Sequence, residues 1–358
     1  VSSTAGPGRT VRPARLIAWL AAVAVLVAVP FYLEAFWLQT GLFAMSAAIG
    51  AIGLNLLTGA TGQLSLGHAL FLAAGAYSYI VFAEDAGLPT PVAAACAVVL
   101  AGVIGGLFSP IAGRLKGAYL GIATLALIFV GQHVLHNAGP VTGGSNGRRV
   151  PPMELFGLVF DDRPELVLLD VPFGALERLW YLGLVLLAGA AAFARGVLAG
   201  RPGIAMNAIR DHETAAGVMG VPVTRYRAAV FVLSSMYGGL AGVLLALVFR
   251  QVVPDNFGML LSLDYLAMIV IGGLGSVAGS VLGAVFVSLL PQLLMRYGDV
   301  LPLVAEPGTG GFSPAEAARI LYGAAVVAVV LFLPGGLLGL ITRLRRAIPR
   351  VKEVKWAR

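Results

Sequence analysis

Lysine is almost missing from this chain: Lys116, Lys352 and Lys355 are the only three in 358 residues, and none follows a glycine. A phosphate-cradling loop needs Gly-x-x-x-x-Gly-Lys-Ser/Thr, because backbone amides and the lysine together neutralise a triphosphate. No such loop exists here, so any nucleotide hydrolysis belongs to another chain. Cysteine is scarcer still. The single Cys96 lies in an apolar run, which excludes a disulfide within the chain or a thiolate metal site. Charge is thin as well: 11% of residues are charged, against about 25% in a soluble domain. With 59% hydrophobic residues and a mean hydropathy of +0.91, there is too little polar surface to wrap a water-soluble globule. Lipid must cover the remainder, and the fold class is an all-α, polytopic integral membrane protein.

What is abundant is long apolar runs. About 20 apolar residues cross a hydrocarbon core as a helix. The runs predict spans near 16–33, 41–60, 64–83, 92–111, 118–136, 179–199, 228–249, 277–295 and 320–341. A tenth segment, 261–274, reaches only about 21 Å at 1.5 Å per residue. The prediction is therefore a bundle of about nine or ten spans. Arg9, Arg12 and Arg15 before the first run resemble a signal sequence, but the run exceeds a usual signal core and no small-residue cleavage site follows. It reads as a retained transmembrane helix. The organisation expected is an N-terminal tail at 1–15, a transmembrane domain at 16–341, and a basic tail at 342–358. An outer loop lies at 137–178, expected to fold against the bundle, and an inner loop at 200–227.

Charge sets the orientation. With ten crossings and the N-terminus inside, the inner segments hold three arginines at the start, Arg114 and Lys116, five from Arg195 to Arg227, and seven in the tail. That is 17 of the 24 basic residues, while acids such as Glu84, Asp85, Asp161 and Asp162 collect outside. The bias places both termini in the cytoplasm. The net charge of +7 thus reads as topology and not as a nucleic-acid footprint. If 261–274 failed to cross while 277–295 did, the tail arginines would land outside. Both cross, then, or both form one re-entrant unit.

Three constellations carry local chemistry. Gly275, Gly279 and Gly283 repeat every four residues, as helices packed closely in lipid require, and predict helix packing. Asn55, Gln63, Ser65 and His68 flank a break at Gly59–Gly62. They either satisfy broken backbone or line a wet translocation path. Asp264 reads as an interfacial, solvated acid near the outer end of its segment. His68 has no second ligand at helical spacing, so no metal site is expected. Enzyme-like strings lack context: Gly143-Gly-Ser-Asn-Gly147 sits in a loop, His212-Glu213 lacks a second histidine, and Gly273-Leu-Gly-Ser-Val-Ala278 lies within lipid. No catalytic set is predicted.

The inner loop is the most informative segment. Ile204–Met219 reads as one short surface helix of small residues, terminated by Gly220 and Pro222. Its smoothness suits it to enter a groove on another protein. Glu213-Thr-Ala-Ala216, with Gly220 beyond, resembles a relaxed EAA motif, with Thr214 intervening between the acid and the two alanines. Gly53-Leu-Asn-Leu-Leu-Thr-Gly59, Gly62-Gln-Leu-Ser-Leu-Gly-His-Ala69, Thr142-Gly-Gly-Ser-Asn-Gly147, Ile209-Arg-Asp-His-Glu-Thr-Ala-Ala216, Gly272-Gly-Leu-Gly-Ser276 and Leu333-Pro-Gly-Gly-Leu-Leu-Gly339 follow in order. Together they resemble the branched-chain amino acid ABC permeases of the LivM type, with a likeness to urea permeases. Arg148 and Arg149 depart from that pattern.

The resemblance implies a transmembrane permease subunit of an ATP-binding cassette importer in a bacterial inner membrane. It implies four companions: a second permease subunit as heterodimer, two cytoplasmic ATPases binding ATP and magnesium, and an extracytoplasmic solute-binding protein. Arg210, Asp211, Glu213, Ala215, Ala216 and Gly220 would form the ATPase-coupling element, and this chain would hold no cofactor. Branched-chain amino acids are the implied solutes, with urea or short amides and carboxylates as alternatives. A secondary transporter or channel is the rival class.

Overall fold

The computed structural model describes residues 13–115, 117–155, 157–161, 166–168, 171–297, 314–332 and 335–347. Its helices are α1 (Pro13–Tyr32), α2 (Ala35–Thr61), α3 (His68–Ile80), α4 (Thr90–Ala112), α5 (Ala118–Asn137), the one-turn α6 (Gly139–Thr142) and α7 (Ala175–Ala199). They continue as α8 (Arg201–Asp211), α9 (Glu213–Val218), α10 (Val223–Phe249), α11 (Met259–Gly272), α12 (Val277–Tyr297), α13 (Pro314–Phe332) and α14 (Gly336–Ala347). Among these, α2, α3, α4, α7, α10, α11 and α12 pack on one another as one bundle. Six apolar segments, in α2, α4, α5, α7, α10 and Pro254–Gly272, are long enough by themselves to cross a membrane. The chain is a multi-pass, all-α membrane protein.

α2 is the axis. Nearly all of it is buried, against α10, α12 and α7. Its glycines receive aromatic rings: Trp180 lies against Gly41, Tyr265 against Gly50 and Tyr237 against Gly53. Such ring-on-backbone contacts replace the hydrophobic drive that lipid cannot supply between helices. The outer faces of α4 and α7 present Leu107, Val185 and Phe193 instead, as lipid-facing surfaces should.

The doubtful tenth segment is resolved. Arg296, at the end of α12, bonds Glu34 just before α2 (2.9 Å), while Asn55, near the other end of α2, bonds Ser276 and Ser280 at the start of α12 (2.9 and 2.6 Å). α12 therefore runs antiparallel to most of the length of α2. α11 enters from the face where Asp255 meets His136 (3.1 Å) and ends at the turn before α12. Both helices traverse the bundle, and the re-entrant alternative falls.

Three expected boundaries move. The span read at 64–83 begins only at His68, because Gly62–Gly67 is an irregular break, opened by the left-handed Gly62 (φ 72°), that interrupts the helical ladder. The span read at 320–341 ends at Phe332, and α14 follows as a separate helix with Leu337 and Leu338 on one side and Arg343, Arg345 and Arg346 after them. Its start sits against the α11–α12 turn, where Gly336 and Gly273 approach too closely for any side chain. The inner loop forms two helices in place of the single Ile204–Met219 helix. His212 takes an extended conformation (φ −151°, ψ 92°) and breaks it.

Of the segment at 137–178, the described residues around 151–154 pack on the bundle, where Tyr79 donates to the Pro151 carbonyl (3.1 Å) and Thr90 to that of Glu154 (3.0 Å). Arg148–Arg149 pairs antiparallel with Gln251–Val252, Glu154–Leu155 with Leu158–Val159, and Leu166–Leu168 with Val171–Phe173. Arg148 clasps Asp85 with both terminal nitrogens (2.7 and 2.8 Å) and Glu84 with one (3.0 Å). The guanidinium holds the Asp85 carboxyl below the usual carboxylate range, first through its hydrogen bonds and then through its charge. An acid depressed in the folded state stabilises above its unfolded value, and that stabilisation is lost as pH falls through the lowered one. The clasp is therefore fully present at neutral pH. Below about pH 4 the melting midpoint of the detergent-solubilised chain should drop, and Asp85→Asn should flatten that particular dependence. An identical acid limb in the variant would remove the clasp as its cause.

Candidate functional site

The loop between α7 and α10 is built to be firm below, with apolar side chains projecting outside. Gly203, Met206 and Ile209 bury one side of α8. The end of α9 is fixed by backbone alone: Gly220 is left-handed (φ 84°), its N–H reaches the Gly217 carbonyl (3.0 Å), and the Val221 N–H reaches that of Ala216 (3.0 Å). This paired closure satisfies the orphan carbonyls, and glycine adopts its geometry without strain.

Glu213, at the start of α9, receives both terminal nitrogens of Arg227 (2.9 and 3.1 Å). The arginine side chain is only 9% exposed and the glutamate 26%. A two-pronged bond of this kind fixes orientation as well as distance. It staples α9 to the first turns of α10.

The other cation points inward. Arg210, at the end of α8, donates Nη1 to the Gly59 carbonyl (2.9 Å) and Nε to Asp211 (3.1 Å). A guanidinium at the carboxyl end of α2 meets the negative pole of that helix. Gly59 lies beside the turn before α12, where the Gly275 N–H donates to Asn55 Oδ1 (2.8 Å) and Asn55 Nδ2 donates to Ser276 and Ser280. Gln63, in the adjacent break, donates to Thr61 Oγ1 (3.0 Å) and the Arg227 carbonyl (3.4 Å). The surface loop, the break after α2 and the turn before α12 thus form one hydrogen-bonded seat.

Between its exposed polar residues the loop projects two large apolar side chains. Val218 is 90% and Met219 85% exposed. A crease of about 480 Å³ runs between α8 and α9, with Ile204, Ala208 and Ala215 along it and Arg201 and Asp211 at its ends. The smooth single knob expected from sequence is therefore a creased pair of helices with two projecting side chains. Ala215 faces outward, while Ala216 is buried against the protein.

A family model described as branched-chain amino acid transport system / permease component matches residues 37–331. The chain belongs to that permease family. It is 30% identical over 291 residues to the high-affinity branched-chain amino acid transport system permease protein LivM of Salmonella typhimurium, covering 78% of this chain and 68% of the relative. With LivM of Escherichia coli K12 it shares 30% identity over 293 residues, covering 78% and 69%. A probable LivH permease of Methanocaldococcus jannaschii is 27% identical over 137 residues, covering 38% and 40%.

In this permease the four polar residues read at the helix break are all buried. Asn55 spends its amide on the turn before α12, while Gln63 donates to the Thr61 hydroxyl and to the Arg227 carbonyl in α10. Ser65 is enclosed, and His68 packs edge-on to Tyr265 (ring centroids 5.2 Å). The polar groups that face open volume are others: Asn256, Asp264, Ser288 and Gln292 line a cavity of about 270 Å³ beside Tyr265 and Phe43. Asp264 is half-buried there, in the first half of α11. Gly279 and Gly283 press against the α11 backbone, but Gly275 precedes α12 and forms its turn. The predicted three-glycine stripe thus splits into two packing residues and one hinge-side residue. Arg227, Val218 and Met219 escaped notice in the sequence. Arg227 was counted only as topological charge, although it follows Glu213 just past the Gly220–Pro222 turn.

Proposed function

We propose that the chain is a permease subunit of an ATP-driven importer of branched-chain amino acids. It works in a bacterial inner membrane with both termini in the cytoplasm. Its companions are a second permease subunit, two cytoplasmic ATPases that bind ATP and magnesium, and an extracytoplasmic solute-binding protein. The observation that carries this reading is the seat: a loop with exposed apolar side chains whose Arg210 bonds Gly59, where two helix breaks meet. An ATPase gripping Val218, Met219 and the crease would move α9 together with the start of α10, because Glu213 and Arg227 join the two. Arg210 then passes displacement to the end of α2, the helix whose other half supplies Phe43 and Ala47 to the cavity holding Asp264 and Gln292. Arg210, Asp211, Glu213 and Gly220 shape this element from within, and Ala215 belongs to its contact face. The solute path runs through that cavity and on past the helix break that carries Asn55, Gln63, Ser65 and His68. Rigid elements with two arrangements are what such coupling requires.

The test is uptake by the complete reconstituted complex. Labelled leucine should accumulate on ATP addition, and labelled urea should not. Val218→Asp with Met219→Asp removes two apolar anchors, each worth about 1.5–3 kcal/mol when buried. Leucine uptake should fall at least about tenfold while the chain remains monodisperse. Full uptake in that variant would overturn the docking assignment, and urea accumulation without leucine would overturn the solute.

A further inference from the structure

A second cavity, of about 380 Å³, opens on the opposite face of the bundle from the inner loop. That volume falls within the range of small-molecule sites, about 300–1,000 Å³. Its rim is polar with both signs: Arg149 and Gln251, paired across the short sheet, and Asp161 from the following hairpin. Its wall is apolar, formed by Phe160, Leu247 and Phe249. Arg149 is exposed at this rim, in contrast to its neighbour Arg148, which is held by Glu84 and Asp85.

Two further observations set the cavity apart from an ordinary surface dimple. Arg250, also in its lining, is the one non-glycine residue with positive φ (60°) among the described residues. It is the left-handed cap that ends α10, with its N–H on the Ala246 carbonyl (2.9 Å), and it turns the chain into the strand beside the cavity. Here its carbonyl accepts the Val150 N–H (2.9 Å), which fixes the strand that carries Arg149. Phe249, moreover, lines both this cavity and the inner one that holds Asp264. Its ring leans on Phe43 at 5.1 Å and 48°, so one aromatic pair stands between the two volumes.

We infer that this outer cavity is a receiving site for a small zwitterion with an apolar side chain, occupied before the solute passes Phe249. The Arg149 fork takes the carboxylate, a geometry that favours arginine over lysine. Asp161 takes the ammonium, and Phe160 with Leu247 takes the hydrocarbon. Gln251 supplies a further hydrogen bond at the rim. The inference rests on the permease reading for its direction of travel, but binding itself needs no ATPase.

The experiment uses the full chain in lipid nanodiscs, with L-leucine detected by saturation-transfer NMR. Leucine should bind saturably, and both 4-methylpentanoate and isoamylamine, each lacking one charge, should bind more weakly. Arg149→Gln should raise the leucine Kd about tenfold, and Arg149→Lys should fall between. Elution and melting midpoint should match the parent chain, since strand pairing at 149 uses only backbone. Parent-like affinity in Arg149→Gln, or no saturable leucine signal in the parent, would overturn the site. A complex that still imports leucine under either result keeps the permease function and loses only this site. A complex that fails to import leucine while the chain binds it loses the solute assignment instead.

Discussion

Gly59→Val is expected to abolish recovery of folded chain from the membrane. A side chain at 59 would run into Asn55 Oδ1 and the Gly275 amide, with the Gly275 Cα only 3.0 Å away. Backbone on one side and a buried, hydrogen-bonded amide on the other leave no flexible end to give way. Overpacking of a tight core costs about 1–3 kcal/mol. Stripping Asn55 of its partners adds about 1–3 kcal/mol for each polar group left buried and unbonded. The combined loss approaches the whole stability of an ordinary domain, about 5–15 kcal/mol. Gly59→Ala should fail in the same direction. The check is detergent extraction followed by size-exclusion chromatography and a melting curve. A monodisperse Gly59→Val protein with an unshifted midpoint would show that the two breaks do not meet there.

The second large effect is expected at Arg227→Ala. Truncating one member of a buried ion pair typically costs about 3–5 kcal/mol, because the surviving charge keeps its burial and loses its partner. Glu213 is 26% exposed, so water reaches it and about 2–3 kcal/mol is the better expectation. The damage should be local. α9 should lose its hold on α10, hydrogen exchange over residues 204–218 should accelerate, and the complex should hydrolyse ATP without moving solute. Glu213→Gln combined with Arg227→Met removes both charges together and should recover much of the lost protection. Simple additivity of the two single changes would show that the pair is not the staple.

Much of the protein was legible in its sequence because lipid imposes a coarse rule. Runs long enough to cross, separated by arginine-rich and acid-rich segments, revealed the helices without reference to packing. The inner loop was legible too, down to Gly220, since a left-handed helix stop calls for glycine. Its break at His212 was hidden. Ile204–Met219 has helical composition throughout, and the extended turn at His212 becomes favourable only once Glu213 finds Arg227 and Arg210 finds Gly59. The four polar residues at the break were found, but composition alone left two readings. Long-range partners such as Ser276 and Ser280 showed how Asn55 is used. The polar lining at Asn256, Ser288 and Gln292 gave no local signal, because its members are brought together only when α11 and α12 pack on α2.

By itself, then, the order of residues determined that this chain is an all-α, multi-pass membrane protein. That follows from local composition: apolar length and the scarcity of charge. Tertiary structure decided which breaks touch, which arginine grips which carbonyl, and where open volume lies. Those depend on contacts between residues hundreds of positions apart, such as Asn55 with Ser280, and no local pattern encodes them.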